Sequence, residues 1–465
     1  MGALKILKTI LAREPEWDLA YLQGHHLEHF PHRLKDTSGP SGVLLRLVTF
    51  LSFLIRGTRL RPQSDKGRAD YFVYAGTANQ WHALADTVTA LRSGGECCRV
   101  VAENLPSHVA GPAEARPVRF APLPAAQALW LLLTRGPRLV TSLRRHHHPV
   151  ALRRYFNTFC ASYAYLPYFF DQLRRCRPKT VLVSNDHNVS NRALMAVARA
   201  LKIPVAYLQH ASVSPLFPPL RVDYAFLDGE ASLATYRLCE NNPLASADGE
   251  PVTVFLSGQK KDVRGPAGPG EFVALAINKL DPVDQVLALV RHLRHKGERV
   301  KLRWHPAQPV ADVQTLRSAF AEDAGVVFSD PAKQPVAAVF EEGYALVAGD
   351  SSIHLEAALA GLRPLYHPLD GQNKDYYGYV AAGLAVNAAG MEQLDQALSA
   401  VRRRSATEPS FAGAVRFYSA TFATSWQGRE GCLVAETLRG GSNRWRSLYR
   451  THNAGPAPFQ DIYSA

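Results

Sequence analysis

Three short segments in the second half of the chain carry residue types suited to holding a phosphate. The first is Gly349-Asp350-Ser351-Ser352, where a strand runs into a helix that reaches Glu356 one turn later. Backbone N–H groups at a helix start, two hydroxyls and the positive end of the helix dipole together form an anion seat. Glu356 falls on the same face as Ser352, where it can accept hydrogen bonds from ribose hydroxyls. The same serines would also serve as an ordinary N-cap, with Glu356 on a solvated face. The second segment is Arg303-Trp304-His305-Pro306. Pro306 stops the strand, so His305 is presented at its end to donate to a phosphate or a base carbonyl. The third is Ser257-Gly258-Gln259-Lys260-Lys261, where Gly258 lets the backbone approach a ligand and Lys260 adds charge. Three such loops at one sheet edge are less expected by accident than any one of them.

The first half offers proton-transfer groups. Asn185-Asp186-His187-Asn188 follows the strand Thr180–Ser184, and Gln209-His210 ends the strand Pro204–Leu208. Ionisable residues at the carboxyl tips of strands lie where open α/β sheets keep their chemistry. The expectation is that Asp186 is a base or nucleophile-like carboxylate with His210 as its partner. The other reading has Asp186 capping a helix that begins near Ser190. Gly76-Thr77-Ala78-Asn79-Gln80 closes the first strand, which makes Asn79 and Gln80 acceptor-side candidates, although the loop is not a GxGxxG fingerprint. Arg144-Arg145-His146-His147-His148 invites a metal, but consecutive residues point in different directions. An exposed cationic patch is the favoured account, and no metal is expected. The tyrosines of Asp375-Tyr376-Tyr377-Gly378-Tyr379 suit either sugar stacking or packing, with packing preferred.

These residues need strands to present them. Tyr71–Ala75, a Gly turn, a helix through Trp81, Leu84, Val88 and Leu91, then Gly94-Gly95 and the strand Arg99–Ala102 make a βαβ unit and so a parallel sheet. Residues 104–126 read as a loop excursion, followed by helices to about Arg177. The polar stretch Asn241–Glu250 is the expected domain boundary. Val252–Leu256 then opens a second alternating series, with strands near Val300–Trp304, Val326–Phe328, Ala345–Ala348 and Arg363–Tyr366. The expected fold is α/β, two Rossmann-like domains facing a cleft. Residues 1–69 form a basic, partly apolar segment, 70–245 and 246–391 the two domains, and 392–465 C-terminal helices and a tail.

Composition agrees with a folded chain. In 465 residues the hydrophobic share is 47% and the charged share 20%, which excludes wholesale disorder. Six cysteines with no CxxC or Cys/His ligand spacing read as reduced thiols in a cytosolic setting. The opening residues lack the apolar core of a secretory signal. The longest apolar stretch, Val43–Ile55, is too short to span a bilayer, which takes about 20 residues. The formal charge of +13 is concentrated: residues 1–68 hold 11 Lys/Arg against 6 Asp/Glu, and residues 135–179 hold 10 against one. Beside an apolar helix, that excess suits an anionic membrane surface or a lipid-linked acceptor. A core-packing helix is the equal alternative for Val43–Ile55.

The order Gln209-His210, then Arg303-x-His305-Pro306, then Ser351-Ser352 with Glu356-Ala357, Gly361 and Pro364 resembles GT-B-fold bacterial surface-polysaccharide transferases. It is similar to the Kdo and sialic-acid transferases of capsule and lipopolysaccharide synthesis, which use CMP-sugars. It is also similar, more distantly, to teichoic-acid polyol-phosphate transferases, which use CDP-polyols. The resemblance spans about residues 70–390. It implies that His305, Ser351 and Ser352 bind the nucleotide phosphates, that Glu356 helps hold the nucleotide, and that His210 is an active-site residue. Two departures stand out: Ala211 replaces the Gly usual after Gln-His, and Leu227-Asp228-Gly229 offers only one of the sialyltransferase acidic pair.

The expected function is therefore transfer of a sugar, with Kdo or another nonulosonate from a CMP-sugar foremost, to a cell-surface polysaccharide or glycolipid. No cofactor beyond the nucleotide-sugar donor is expected. The enzyme would sit in the bacterial cytoplasm, peripheral on the inner face of the inner membrane. A nucleotide-sugar epimerase of the same fold is the alternative enzyme. A basic nucleic-acid-binding protein is disfavoured, because no ribonucleoprotein motif or recognition helix is present.

Overall fold

The computed structural model describes residues 2–29, 42–59, 67–103, 105, 115–147, 149–240, 252–259, 265, 270–403, 409–440 and 449–451. The chain divides into two compact units, Met1–Lys260 with Arg429–Ala465, and Lys261–Gly428.

In the first unit, β1 (Tyr71–Ala75), β2 (Cys98–Ala102), β3 (Thr180–Val183), β4 (Val205–Leu208), β5 (Tyr224–Leu227) and β6 (Val252–Leu256) form a parallel sheet. Its order is β2-β1-β3-β4-β5-β6, and β13 (Tyr449–Thr451) adds an antiparallel edge to β6. Side chains alternate across β1. Phe72 and Tyr74 enter one core with Phe169, while Tyr71, Val73 and Ala75 enter another with Trp81 and Leu84. A sheet covered on both faces reads as continuous apolar runs, and all five β1 residues are buried.

The second unit has β7 (Phe272–Ala276), β8 (Arg299–Arg303), β9 (Val326–Ser329), β10 (Gly343–Ala348), β11 (Arg363–Tyr366) and β12 (Val386–Asn387). All pair in parallel, in the order β12-β11-β10-β7-β8-β9. This is the doubly wound arrangement, and the strand order reverses between β7 and β10. In the first unit the reversal lies between β1 and β3.

Several boundaries differ from the sequence reading. Strand β6, expected to open the second domain, pairs with β5, with Phe226 beside Phe255. The division therefore falls after Lys260 rather than near residue 245. The true first strand of the second unit is β7, an apolar run the sequence reading left unassigned. Helices Met391–Arg403 and Pro409–Tyr418 stay with the second unit, whereas Glu430–Leu438 returns to the first and packs on the Ala78–Ser93 helix. Gly431 permits that approach, since a Cβ there would lie 2.5 Å from Asp86 Cβ.

The N-terminal segment is part of the first unit's core rather than a separate preface. Leu7, Ile10, Leu11, Leu19, Phe50 and Leu54 join the cluster of Phe72 and Tyr74. Buried Glu16 ties this segment to the long helices Pro122–His146 and Pro149–Cys176, accepting from Arg135 Nε at 2.7 Å and Tyr163 Oη at 2.8 Å. No helix among the described residues is long and apolar enough to cross a membrane.

Candidate functional site

In the second unit, β8 and β10 and the segments at their carboxyl ends carry Arg303, His305, Ser351, Ser352 and Glu356, five of the residues singled out from sequence. His305 follows β8 and is exposed. Its Nδ1 accepts the Ala307 N–H at 3.0 Å, which leaves Nε2 to carry the proton. Partial desolvation of the ring, with the charge of Lys279, holds the imidazole below its usual pKa. The ring is thus a neutral, oriented donor. Ser351 and Ser352 follow β10 and are half-buried. The helix begins at Ile353, whose N–H reaches Ser351 Oγ at 3.4 Å. Ser352 makes no side-chain cap, so among the described residues its hydroxyl is uncommitted.

Other candidates have structural duties. Arg303 donates from Nη1 to Ser329 Oγ at 2.9 Å and from Nη2 to the Gln334 carbonyl at 3.1 Å, which staples β8 to β9 and the segment beyond it. Its burial lowers its pKa against the charges of Glu356 and Asp330. Glu356 is buried, only 6% exposed, not on a solvated face. Its charge favours the ionised form of Arg303.

Asp281 is a residue the sequence reading missed. It closes the loop after β7, bordering the point where strand order reverses. A Cβ on Gly349 would lie 3.6 Å from Asp281 Oδ1, so the two loops adjoin. Asp281 accepts from Asn278 N at 2.7 Å and Asn278 Nδ2 at 3.2 Å. Burial nonetheless pushes its pKa up to about 6, helped by the charges of Asp370 and Asp350. A carboxyl titrating there can give and take a proton near neutral pH. The missed signal was β7 itself: once Phe272–Ala276 is read as a strand, Asp281 falls in its carboxyl-end loop. Asp350 Oδ1 accepts the Tyr376 N–H at 2.9 Å, so these carboxylates make one side of the serine loop acidic. Two of the three tyrosines beside it pack: Tyr377 stacks on Tyr379, and Tyr379 is edge-on to Tyr418, whereas Tyr376 is exposed.

In the first unit, the β1–β3 reversal is bridged by Gln80. Its Oε1 accepts the Gly76 N–H at 2.8 Å and Asn191 Nδ2 at 3.3 Å, and its carbonyl accepts Ser184 Oγ at 3.0 Å. Gln80 is buried and fixes the turn, which removes it from the acceptor-side candidates; Asn79 beside it is exposed. Gly258, with φ +72°, follows β6, so it lies with this sheet and not with the strand-end loops of the second unit. Lys260 lies outside the described residues.

The expected Asp186–His210 pair is not formed. Asp186 is buried, and its two carboxylate oxygens accept His187 Nδ1 at 2.8 Å and Tyr236 Oη at 2.6 Å. Burial alone would raise its pKa, but those hydrogen bonds with the charges of His187 and Arg192 hold it below the usual carboxylate value. It therefore positions His187 rather than meeting a substrate. Nor does it cap the next helix: that helix is Val189–Ala200 with Asn188 at its cap. Asn185 Oδ1 takes the His187 and Asn188 N–H groups, at 3.0 and 2.7 Å, so its Nδ2 faces His187 Nε2 at 3.0 Å. His210, half-buried at the end of β4, remains as the ionisable candidate on this edge.

The histidine run is also revised. His147 is not an open patch: its Nδ1 meets the Gly24 carbonyl at 2.5 Å and its ring abuts Trp17 and His25. His148 lies outside the described residues. The three-member group of metal-ligand side chains among the described residues is His26, Glu28 and His29, near the N-terminus.

No protein-family model matches the chain, and no curated protein matches it by sequence. Solved structures do match. A Listeria monocytogenes protein assigned as a UDP-N-acetylglucosamine 2-epimerase is 11% identical, with 82% of this chain and all of that one covered, at TM-score 0.51. The fold is of GT-B type. The Neisseria meningitidis UDP-GlcNAc 2-epimerase bound to UDP-GlcNAc is 12% identical over 80% of this chain and 100% of that one, at TM-score 0.48. Acinetobacter baumannii MurG is 12% identical over 80% and 99%, at 0.41. At such identities likeness speaks to fold alone, and the last two scores carry no argument.

Proposed function

We propose that the chain is a nucleotide-sugar-dependent glycosyltransferase acting on a cell-surface glycan or lipid-linked glycan, with a CMP-linked nonulosonate such as Kdo as donor. The observation that carries this reading is the oriented Nε2–H of His305 on the same sheet edge as the uncommitted Ser352 hydroxyl, beside the strand-order reversal of the second unit. Hydrogen-bond donors that do not reorganise stabilise the charge gathering on a departing nucleotide phosphate. In this proposal His305, Ser351 and Ser352 receive the phosphate, and Glu356 orients the nucleotide side. With Asp186 committed to His187 and Tyr236, removal of the acceptor proton is assigned to His210. A thermal-shift panel of CMP, CDP, UDP, GDP and their sugars tests the donor. A CMP-specific shift supports the nonulosonate class, CDP alone points to polyol-phosphate transfer, and UDP or GDP overturns both.

One observation favours a second reading, epimerisation of a nucleotide sugar. Asp281, titrating near 6 beside Gly349, could exchange a proton with a bound sugar. The Listeria protein that shares the fold is assigned that activity. Incubating UDP-HexNAc alone and looking for an isomer separates the two.

A further inference from the structure

An apolar stripe on the first unit lies beside arginines that form no ion pair among the described residues. The Val43–Gly57 helix buries Phe50 and Leu54 and turns other apolar residues outward. Leu44 is 75% exposed, Val48 52% and Ile55 73%, spaced 4 and 7 residues apart on one helical face. Among the described residues these side chains remain uncovered. The helix carries Arg46 and Arg56 and no acidic residue.

The start of this helix meets the turn between the two long helices. The Gly42 N–H donates to the Arg153 carbonyl at 2.9 Å. A groove of about 500 Å³ opens there between Val43, Leu143, Arg144, Leu152 and Arg153. Arg144, Arg145 and Arg153 are exposed and form no ion pair among the described residues. The contrast with Arg135, held by Glu16, and Arg175, held by Asp171, is direct. Neither the Pro122–His146 helix nor residues 149–170 contain an acidic residue.

We infer that this face, the Leu44–Val48–Ile55 stripe with the Arg144/Arg153 groove, docks on an anionic lipid bilayer. Charge complementarity selects that occupant. Leucine and valine side chains enter the acyl boundary, while guanidinium groups at the same level hold lipid phosphates in bidentate fashion. A second copy of this face would bring like charges together, which opposes self-association. The helix lies on the membrane and does not cross it. The inference is independent of the proposed transferase activity, because it rests on a surface of the first unit and not on the sheet edges.

Flotation of the full chain with buffer-filled vesicles through a sucrose gradient tests it. Vesicles of phosphatidylcholine alone are compared with vesicles containing about 30% phosphatidylglycerol, a fraction that sets up the anionic surface potential. The chain is expected to float only with the anionic vesicles. Arg144→Gln with Arg153→Gln should lower affinity roughly 10- to 30-fold, at about five-fold per basic residue near the surface. Leu44→Glu with Val48→Glu should abolish flotation with the far-UV circular dichroism spectrum unchanged, since both positions are already exposed. Equal binding to both vesicle types, absence of binding, or flotation indifferent to Leu44→Glu/Val48→Glu overturns the inference. So does a wild-type dimer, by light scattering, that these two substitutions convert to a monomer, because the face would then be a self-interface.

Discussion

Replacing Asp186 with alanine removes the shared acceptor of two buried hydrogen bonds, from His187 Nδ1 at 2.8 Å and Tyr236 Oη at 2.6 Å. Arg192 keeps its hydrogen bond to the backbone carbonyl of residue 186 and loses only a minor part of the negative charge that offsets its own. Breaking a buried charged contact by deleting one partner costs about 3–5 kcal/mol. For a unit of this size that corresponds to a fall in Tm of about 10 °C. Asp186→Asn is milder. Its Oδ1 still accepts His187 Nδ1–H, and its amide can donate to Tyr236 Oη, whose proton turns to Tyr207 Oη at 3.1 Å. A loss of about 1–2 kcal/mol is expected. The pH dependence has a definite sign. The folded pKa of Asp186 lies below the ordinary value. Its stabilisation is therefore complete above the unfolded carboxylate pKa of about 3.9, and is lost as pH falls through the lower folded value. Urea denaturation of wild type, Asp186→Ala and Asp186→Asn from pH 8 to pH 3 is the assay, with hydrogen exchange of β3 and β4 to localise the change. The gap to wild type should hold constant down to about pH 5 and begin to narrow below pH 4. An alanine variant within about 1 kcal/mol of wild type, or a gap that widens in acid, refutes the buried-acceptor account.

Asp281 carries the opposite sign. With its folded pKa raised to about 6, its stabilisation is full below the unfolded value and lost as pH rises through the folded one, a slope that Asp281→Asn should abolish in urea titrations. Gln80→Ala should cost about 1–3 kcal/mol and expose the Gly76 amide to hydrogen exchange, because that N–H loses its buried acceptor. Arg303→Ala should destabilise the second unit by about 1–2 kcal/mol even without nucleotide, measured by denaturation, since its guanidinium staples β8 to Ser329 and Gln334.

Both α/β units were legible in sequence because strands buried on two faces leave short, unbroken apolar runs between amphipathic helices. What sequence could not supply was strand pairing. Val252–Leu256 and Phe272–Ala276 are equally apolar, and nothing local says that the first completes one sheet and the second begins another. That ambiguity moved the boundary, placed Gly258 with the wrong unit, and hid Asp281. The histidine and serine loops were legible because Pro306 and the Gly349-Asp350 turn mark strand ends. The fate of Asp186 was not. Its partner Tyr236 lies 50 residues away on the Glu230–Glu240 helix, and only the fold brings it within 2.6 Å. Gln80 failed similarly, since a polar residue in a loop looks solvent-facing until its amide is seen to fill a turn.

In the proposed function a cytidine nucleotide binds at the second unit's sheet edge through a neutral His305 and the serine loop. Isothermal titration of CMP into wild type and His305→Ala tests it most directly, because His305 is exposed and its removal should leave the fold intact. Loss of a charge-assisted hydrogen bond predicts roughly 10- to 100-fold weaker binding in the variant. With the imidazole pKa lowered by partial desolvation and Lys279, its share of the affinity should be flat between pH 7 and 8. Equal CMP affinity in the two proteins, or binding of UDP or GDP in place of CMP, would contradict the account.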